Sequence, residues 1–199
     1  MQTALDAFER NMLRVRSLHA LHSAFSKQVT PAIDLSDLLR AEIVLGVSAL
    51  DHYMHELTRL GMLECWAGSR KSTDAFGRFP LSISIAGALS NPSTAQAIIE
   101  GEIRSRHSFL PFQHPDRIAD AVRLFSEVKL WEEVGKQLGT TAKDIKTALL
   151  LIVDRRNKIA HEADIDPSYP GQRWPIDSIL VERTLDKLEE IARAIFKVI

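Results

Sequence analysis

The sequence is short of nearly everything that marks a disulfide-bonded, metal-bound or membrane-spanning protein. It holds one cysteine, Cys65, in 199 residues, which excludes an internal disulfide and a cysteine-based zinc site. A lone thiol of this kind reads as a small core residue. Long apolar runs are missing too: the strongest, Ala148 to Val153, is stopped by Asp154 and Arg155, well short of the roughly 20 residues a membrane-spanning helix needs. The opening Met1-Gln2-Thr3-Ala4-Leu5-Asp6 lacks the charged start and apolar stretch of a secretory signal, and the expectation is a cytoplasmic protein without a membrane partner. Nor is there an excess of one charge. The 25 basic and 26 acidic residues give a formal net charge of -1, which excludes coating nucleic acid through bulk positive charge but leaves room for a local basic site. Neither G-x-G-x-x-G nor a P-loop occurs, so no glycine loop cradles a phosphate.

What is present is an ordinary globular composition, 45% apolar and 26% charged, in a chain of a length that suits one domain spanning 1–199. Apolar residues recur at helical spacing and strand-like alternation is nearly absent. The pattern predicts an all-α bundle of about six to eight helices. The first covers about residues 3 to 28, ending before Pro31; the second runs from an Asp34 N-cap toward Trp66. Leu39, Ile43, Val47, Leu50, Met54 and Leu57 form its buried stripe. Residues 67–92, rich in Gly, Ser and Pro, read as an irregular connection with one short helix near Leu81–Leu89. Shorter helices follow at Ser93–Phe109, Asp116–Glu127 and Leu130–Leu138, with Gly139 as a C-cap. Thr140 or Thr141 then caps a helix from Ala142 to His161, and a polar loop, Asp164–Trp174, leads to a last helix starting at Pro175.

The helix ending at His161 contains the residues that break the pattern. With about 100° between successive side chains, Ile145, Ala148, Leu149, Ile152, Val153, Ile159 and Ala160 share one broad apolar face, and Arg156 lies near its middle. A core-facing guanidinium needs compensation. Asn157 and His161, four residues apart, are neighbours on another side. Arg156 and His161 diverge by about 140° on a straight helix, so spacing alone does not make them converge.

The run Arg156-Asn157-Lys158-Ile159-Ala160-His161 resembles the R-x-x-x-x-H motif of HEPN domains, including the polar residue those favour after the arginine. Its place, late in an all-helical chain with one long helix after it, is also similar. Val47 to Tyr53 on the early long helix looks like the corresponding part of the RiboL-PSP-HEPN branch. The resemblance implies a metal-independent endoribonuclease without a cofactor, working as a homodimer whose two motif copies face one composite site. His161 would then move protons at the ribose 2′-hydroxyl or the leaving oxygen, which suits a side chain with a pKa of about 6.5. Arg156 would clamp the scissile phosphate, and Asn157 would orient His161 or bind a phosphate oxygen. Products would carry 2′,3′-cyclic phosphate and 5′-hydroxyl ends. Such domains are often toxins or defence effectors held by an antitoxin or other regulatory protein, and some bind RNA or protein partners without cutting.

Other signals weigh less. Asp51 is an acid placed to support Arg156 or a motif histidine, and Arg155 and Lys158 are further candidates for RNA contact. His52, His55 and Glu56 read H-x-x-H-E, not the H-E-x-x-H of zinc proteases, so no metal is expected. Arg104, Arg106 and His107 form a small basic cluster that reads as a solvated helix face. Trp131 and Trp174 read as anchors more than as base-stacking platforms.

Overall fold

The computed structural model describes residues 1–30 and 32–199; Pro31, before which the sequence predicts the first helix to end, lies outside them. The described residues form nine helices: α1 (Gln2–Phe25), α2 (Ser36–Trp66), α3 (Asp74–Gly77), α4 (Ile83–Ala88), α5 (Pro92–His107), α6 (Pro115–Arg123), α7 (Leu130–Gln137), α8 (Ala142–His161) and α9 (Ser178–Val198). The all-α expectation holds. Among the described residues the one extended pairing is an isolated bridge between Ile165 and Arg173, and no helix is long and apolar enough to cross a membrane.

The ninth helix, α3, sits in the stretch that reads as irregular. The Thr73 side chain accepts a hydrogen bond from the Phe76 amide and starts a single turn too short to show a period. At the other predicted ends, local chemistry decides most boundaries. Pro92 and Pro115 open α5 and α6, where a missing N–H costs nothing. The Thr141 hydroxyl accepts from the Asp144 amide at 3.1 Å to start α8, and Gly139 turns the preceding chain with φ of 66°.

Several boundaries differ from expectation: α1 ends at Phe25 and α6 at Arg123, short of residue 28 and Glu127, and the starts of α2 and α9 are set by other residues. Asp34 does not cap α2: its carboxylate accepts from the Ser36 amide at 2.8 Å, and Leu35 occupies the cap position. The last helix starts at Ser178 and not at Pro175, because Asp177 accepts from the Leu180 amide at 2.8 Å. Trp174 and Pro175 stay outside it, their carbonyls held by arginines from other helices.

Helix α2 is the spine, packed by α1, α5, α6, α8 and α9. All six residues of its predicted stripe are buried, alongside Phe8 and Met12 from α1, Leu149 and Val153 from α8, and Leu185, Leu188, Ile191 and Ile195 from α9. A smaller cluster, Met62, Leu63, Ile99 and Ile103, joins α2 to α5. Trp131 anchors α7 to α6 through its indole N–H, which donates to the Pro115 carbonyl at 2.9 Å. Cys65 is buried, as a core thiol should be.

Helix α2 comes so close to Phe125 that a Cβ at Gly61 would sit 2.4 Å from the ring. Gly61→Ala is therefore expected to lose about 1–3 kcal/mol through overpacking, although alanine is the better helix former by nearly 1 kcal/mol. Urea denaturation would show it, and an unchanged or raised midpoint would mean that the ring moves aside freely.

Candidate active site

The C-terminal turn of α8 carries the motif. Arg156 is half-buried, as its position on the apolar face requires, and its Nη1 donates to the Asn157 carboxamide oxygen at 3.0 Å. Its Nε is buried without a partner. No carboxylate lies within ion-pair distance of Arg156 among the described residues. The compensation for this arginine is therefore a neutral amide and not an acid. His161, the last residue of α8, is exposed. Asn157 is half-buried between them. The helix thus presents an imidazole at its end and a guanidinium one and a half turns earlier, on diverging faces.

The other cations of the segment are committed. Arg155 donates from one Nη2 to the Asp164 carboxylate at 2.9 Å and to the Trp174 and Pro175 carbonyls at 3.2 and 3.1 Å. Lys158 pairs with Asp154 at 3.0 Å and lies over the Trp174 ring, 5.2 Å from its centre. Arg155, expected beside the motif as an RNA contact, turns its Nη2 to the loop, while its Nε is buried without a partner.

That loop is locked by a group that the sequence pattern does not point to. Asp164 is fully buried and takes a second arginine, Arg40 of α2, whose Nε donates at 2.6 Å. Arg40 also donates to the Ser36 hydroxyl and the Trp174 carbonyl. Immediately after His161 the chain reverses through two non-glycine residues in the left-handed region, Ala163 (φ 51°) and Asp164 (φ 59°). Such residues persist only where their surroundings hold them. Here the Asp164 amide donates to the Lys158 carbonyl at 3.0 Å and its carbonyl accepts from the Trp174 amide at 2.9 Å. Burial pushes the Arg155 guanidinium down, opposed by the charge of Asp164 and reinforced by that of Arg40.

Across from α8, Asp51 of α2 is half-buried. Burial pushes its carboxyl up, while His55, the Phe112 amide, Arg156 and His52 pull it back. Its nearest ionisable partner is the His55 imidazole, at 3.7 Å, so Asp51 acts on Arg156 through space and not as a contact pair. The ring of His55 stacks on Phe112 at 4.4 Å. Arg59 and Arg104 each bond both Glu56 and Glu100, closing a ring of four charges between α2 and α5. Arg106 pairs with Glu102, so the small basic cluster on α5 is neutralised. No group of three or more His, Cys, Asp or Glu side chains is arranged to hold a metal ion among the described residues.

His107 is buried, edge-on to Phe79 and Phe112. Burial, with the charge of His55, pushes its pKa from 6.5 down to about 4. Between those values the unfolded chain binds a proton that the folded chain refuses, so stability falls as pH falls through this window, by up to roughly 3 kcal/mol. Replacing His107 with Phe should remove this contribution. The gap in urea midpoint between pH 7 and about pH 4.5 should then shrink, and an equal gap in both proteins would show that the ring titrates normally.

Comparison with known proteins gives no match: no family model, curated protein or solved structure is measurably similar to the chain.

Proposed function

We propose that this protein is a metal-independent endoribonuclease of the HEPN kind, with Arg156, Asn157 and His161 as its catalytic residues. The observation that carries the reading is the uncommitted state of the motif. Arg155 and Lys158 are paired, yet Arg156 has no acid partner and His161 stands free at the helix end. A guanidinium without an acid partner, its Nη2 unbonded, can still meet a phosphate.

The chemistry follows from the two groups. The 2′-hydroxyl oxygen attacks the adjacent phosphorus, forming the cyclic phosphate as the bond to the 5′-oxygen breaks. The His161 imidazole takes the hydroxyl proton and, as the imidazolium, gives a proton to the leaving oxygen. Arg156 stabilises the charge that develops on the phosphoryl oxygens, and Asn157, bonded to Arg156, fixes the direction of that guanidinium. Because Arg156 and His161 diverge on one helix, the reaction calls for a homodimer in which two α8 ends face each other. A cytoplasmic toxin or defence effector, restrained by an antitoxin or other regulatory protein, is the biological setting this chemistry suits.

The same divergence favours a second reading if no second copy docks: a non-catalytic domain that binds RNA or a protein partner. Product chemistry separates them. Mass spectrometry of RNA incubated with the protein should find 2′,3′-cyclic phosphate and 5′-hydroxyl ends. Intact RNA, retained by the protein in a binding assay, would move the conclusion to the second reading.

A further inference from the structure

A cleft of about 560 Å³ lies between α1 and α2. Its polar lining is Asn11, Arg14, Ser48 and His52. No carboxylate lines it, and none of the four has a hydrogen-bond or ion-pair partner among the described residues. Two other clefts have carboxylates among their cations. The cleft at Arg59 and Arg104 has its cations bound by Glu56 and Glu100. The larger one beside α6 and α7 sets Asp74, Glu127 and Glu132 among its lysines and arginines. In a chain with a net charge of -1, an uncompensated arginine beside an imidazole is an anion-seeking feature.

The apolar lining is buried Val15 and Ala49 with the more exposed Leu18 from α1 and Leu45 from α2; Leu45 remains 45% exposed, so the cleft is open to a flat ligand. Its volume is in the range of small-ligand sites, about 300–1,000 Å³. We propose that this cleft holds one nucleotide of single-stranded RNA next to the scissile bond. The base lies on the apolar lining by Leu18 and Leu45 against the His52 ring, Arg14 takes the phosphate, and Ser48 and Asn11 bond the ribose 2′-hydroxyl. Each part follows a known mode of RNA contact: base stacking on imidazole, arginine on phosphate, and a polar group that distinguishes ribose from deoxyribose. The cleft adjoins the motif through α2. Both rest on α2, against which α1 and α8 pack. This inference rests on the ribonuclease reading and adds a substrate subsite to it.

The test measures binding apart from cutting. A fluorescein-labelled single-stranded RNA octamer is titrated with the His161→Ala protein, alone and with Arg14→Glu or Ser48→Glu added. Both added positions are exposed, so circular dichroism and thermal midpoint should stay unchanged. Each change should weaken binding by about tenfold or more, and Arg14→Glu should also flatten the salt dependence by the loss of about one phosphate contact. The same changes in the wild-type background should raise KM more than they lower kcat. If the wild type cuts nothing but binds RNA in an Arg14- and Ser48-dependent way, the nuclease reading falls and the cleft stands. If the wild type cuts RNA and neither change moves Kd or KM, the cleft falls and the nuclease stands. Failure of every form to bind RNA at low salt overturns the proposal. So does a shift in sedimentation without a change in RNA affinity, which would make the cleft a contact between copies of the chain.

Discussion

Asp164→Ala is expected to lose about 3–5 kcal/mol of folding stability, a large part of the 5–15 kcal/mol typical of a domain. The aspartate is fully buried and is the shared anion of Arg40 and Arg155. Removing it leaves two positive charges in a poorly solvated place with only carbonyl and hydroxyl partners. It also puts alanine at a φ of 59°, next to Ala163 at 51°, where aspartate is better tolerated. Asp164→Asn keeps that tolerance and the shape but removes the charge, so its loss should be smaller. Urea denaturation orders the three proteins. Hydrogen exchange at the Asp164 and Trp174 amides, whose bonds hold the turn, should speed up in both variants. An alanine variant within about 0.5 kcal/mol of wild type, the range of an ordinary surface change, would mean that the two arginines find solvent and that the clamp holds little. Because the turn follows His161 directly, its loosening should also lower any activity that needs a fixed imidazole.

Mixing two inactive variants should restore cleavage if the site is shared between copies. In a two-fold dimer each copy offers the same surface to its partner. When Arg156 of one copy works with His161 of the other, a pair of Arg156→Ala and His161→Ala chains contains one site with both groups intact. Equal mixing then returns up to about half of wild-type activity, since about half the dimers are mixed and each keeps one Arg156 and one His161 at the shared site. Each variant alone should fall by about a hundredfold or more, as expected on losing a general acid–base or an oxyanion donor. No recovery, with dimers confirmed by sedimentation, would place both groups in one chain. Given the divergence of Arg156 and His161 on α8, that outcome would require a long reach by the arginine side chain.

Elements governed by local chemistry were legible in the sequence. The Thr141 cap, the left-handed Gly139 and the α2 stripe depend on residues a few positions apart, and periodicity or capping rules find them. Elements governed by distant partners were not. The Trp174 and Pro175 carbonyls, ahead of the Asp177 cap of α9, are held by Arg40 and Arg155. Asp164 meets Arg40 across 124 residues of sequence, a distance over which no short pattern speaks. The one available signal was Arg40 itself, a charge set beside the apolar stripe of α2.

The candidate site divides the same way. Angular spacing places Arg156 on the apolar face of α8, and the structure finds it half-buried there. Spacing does not reveal that its bonded partner is Asn157 and not Asp51, nor that Arg155 belongs to the loop clamp. The unpaired Arg14 was equally silent. Its significance appears only when α1 packs on α2 and brings it to the same cleft as His52.

The most direct measurement is the cleavage of end-labelled RNA in excess EDTA by wild type, His161→Ala and Arg156→Ala proteins purified side by side. Cutting by the wild type alone is the expected result, and it would join metal-independent cleavage to the two residues that α8 leaves uncommitted. Equal cutting by all three proteins would contradict that assignment, because the activity would then reside outside the motif.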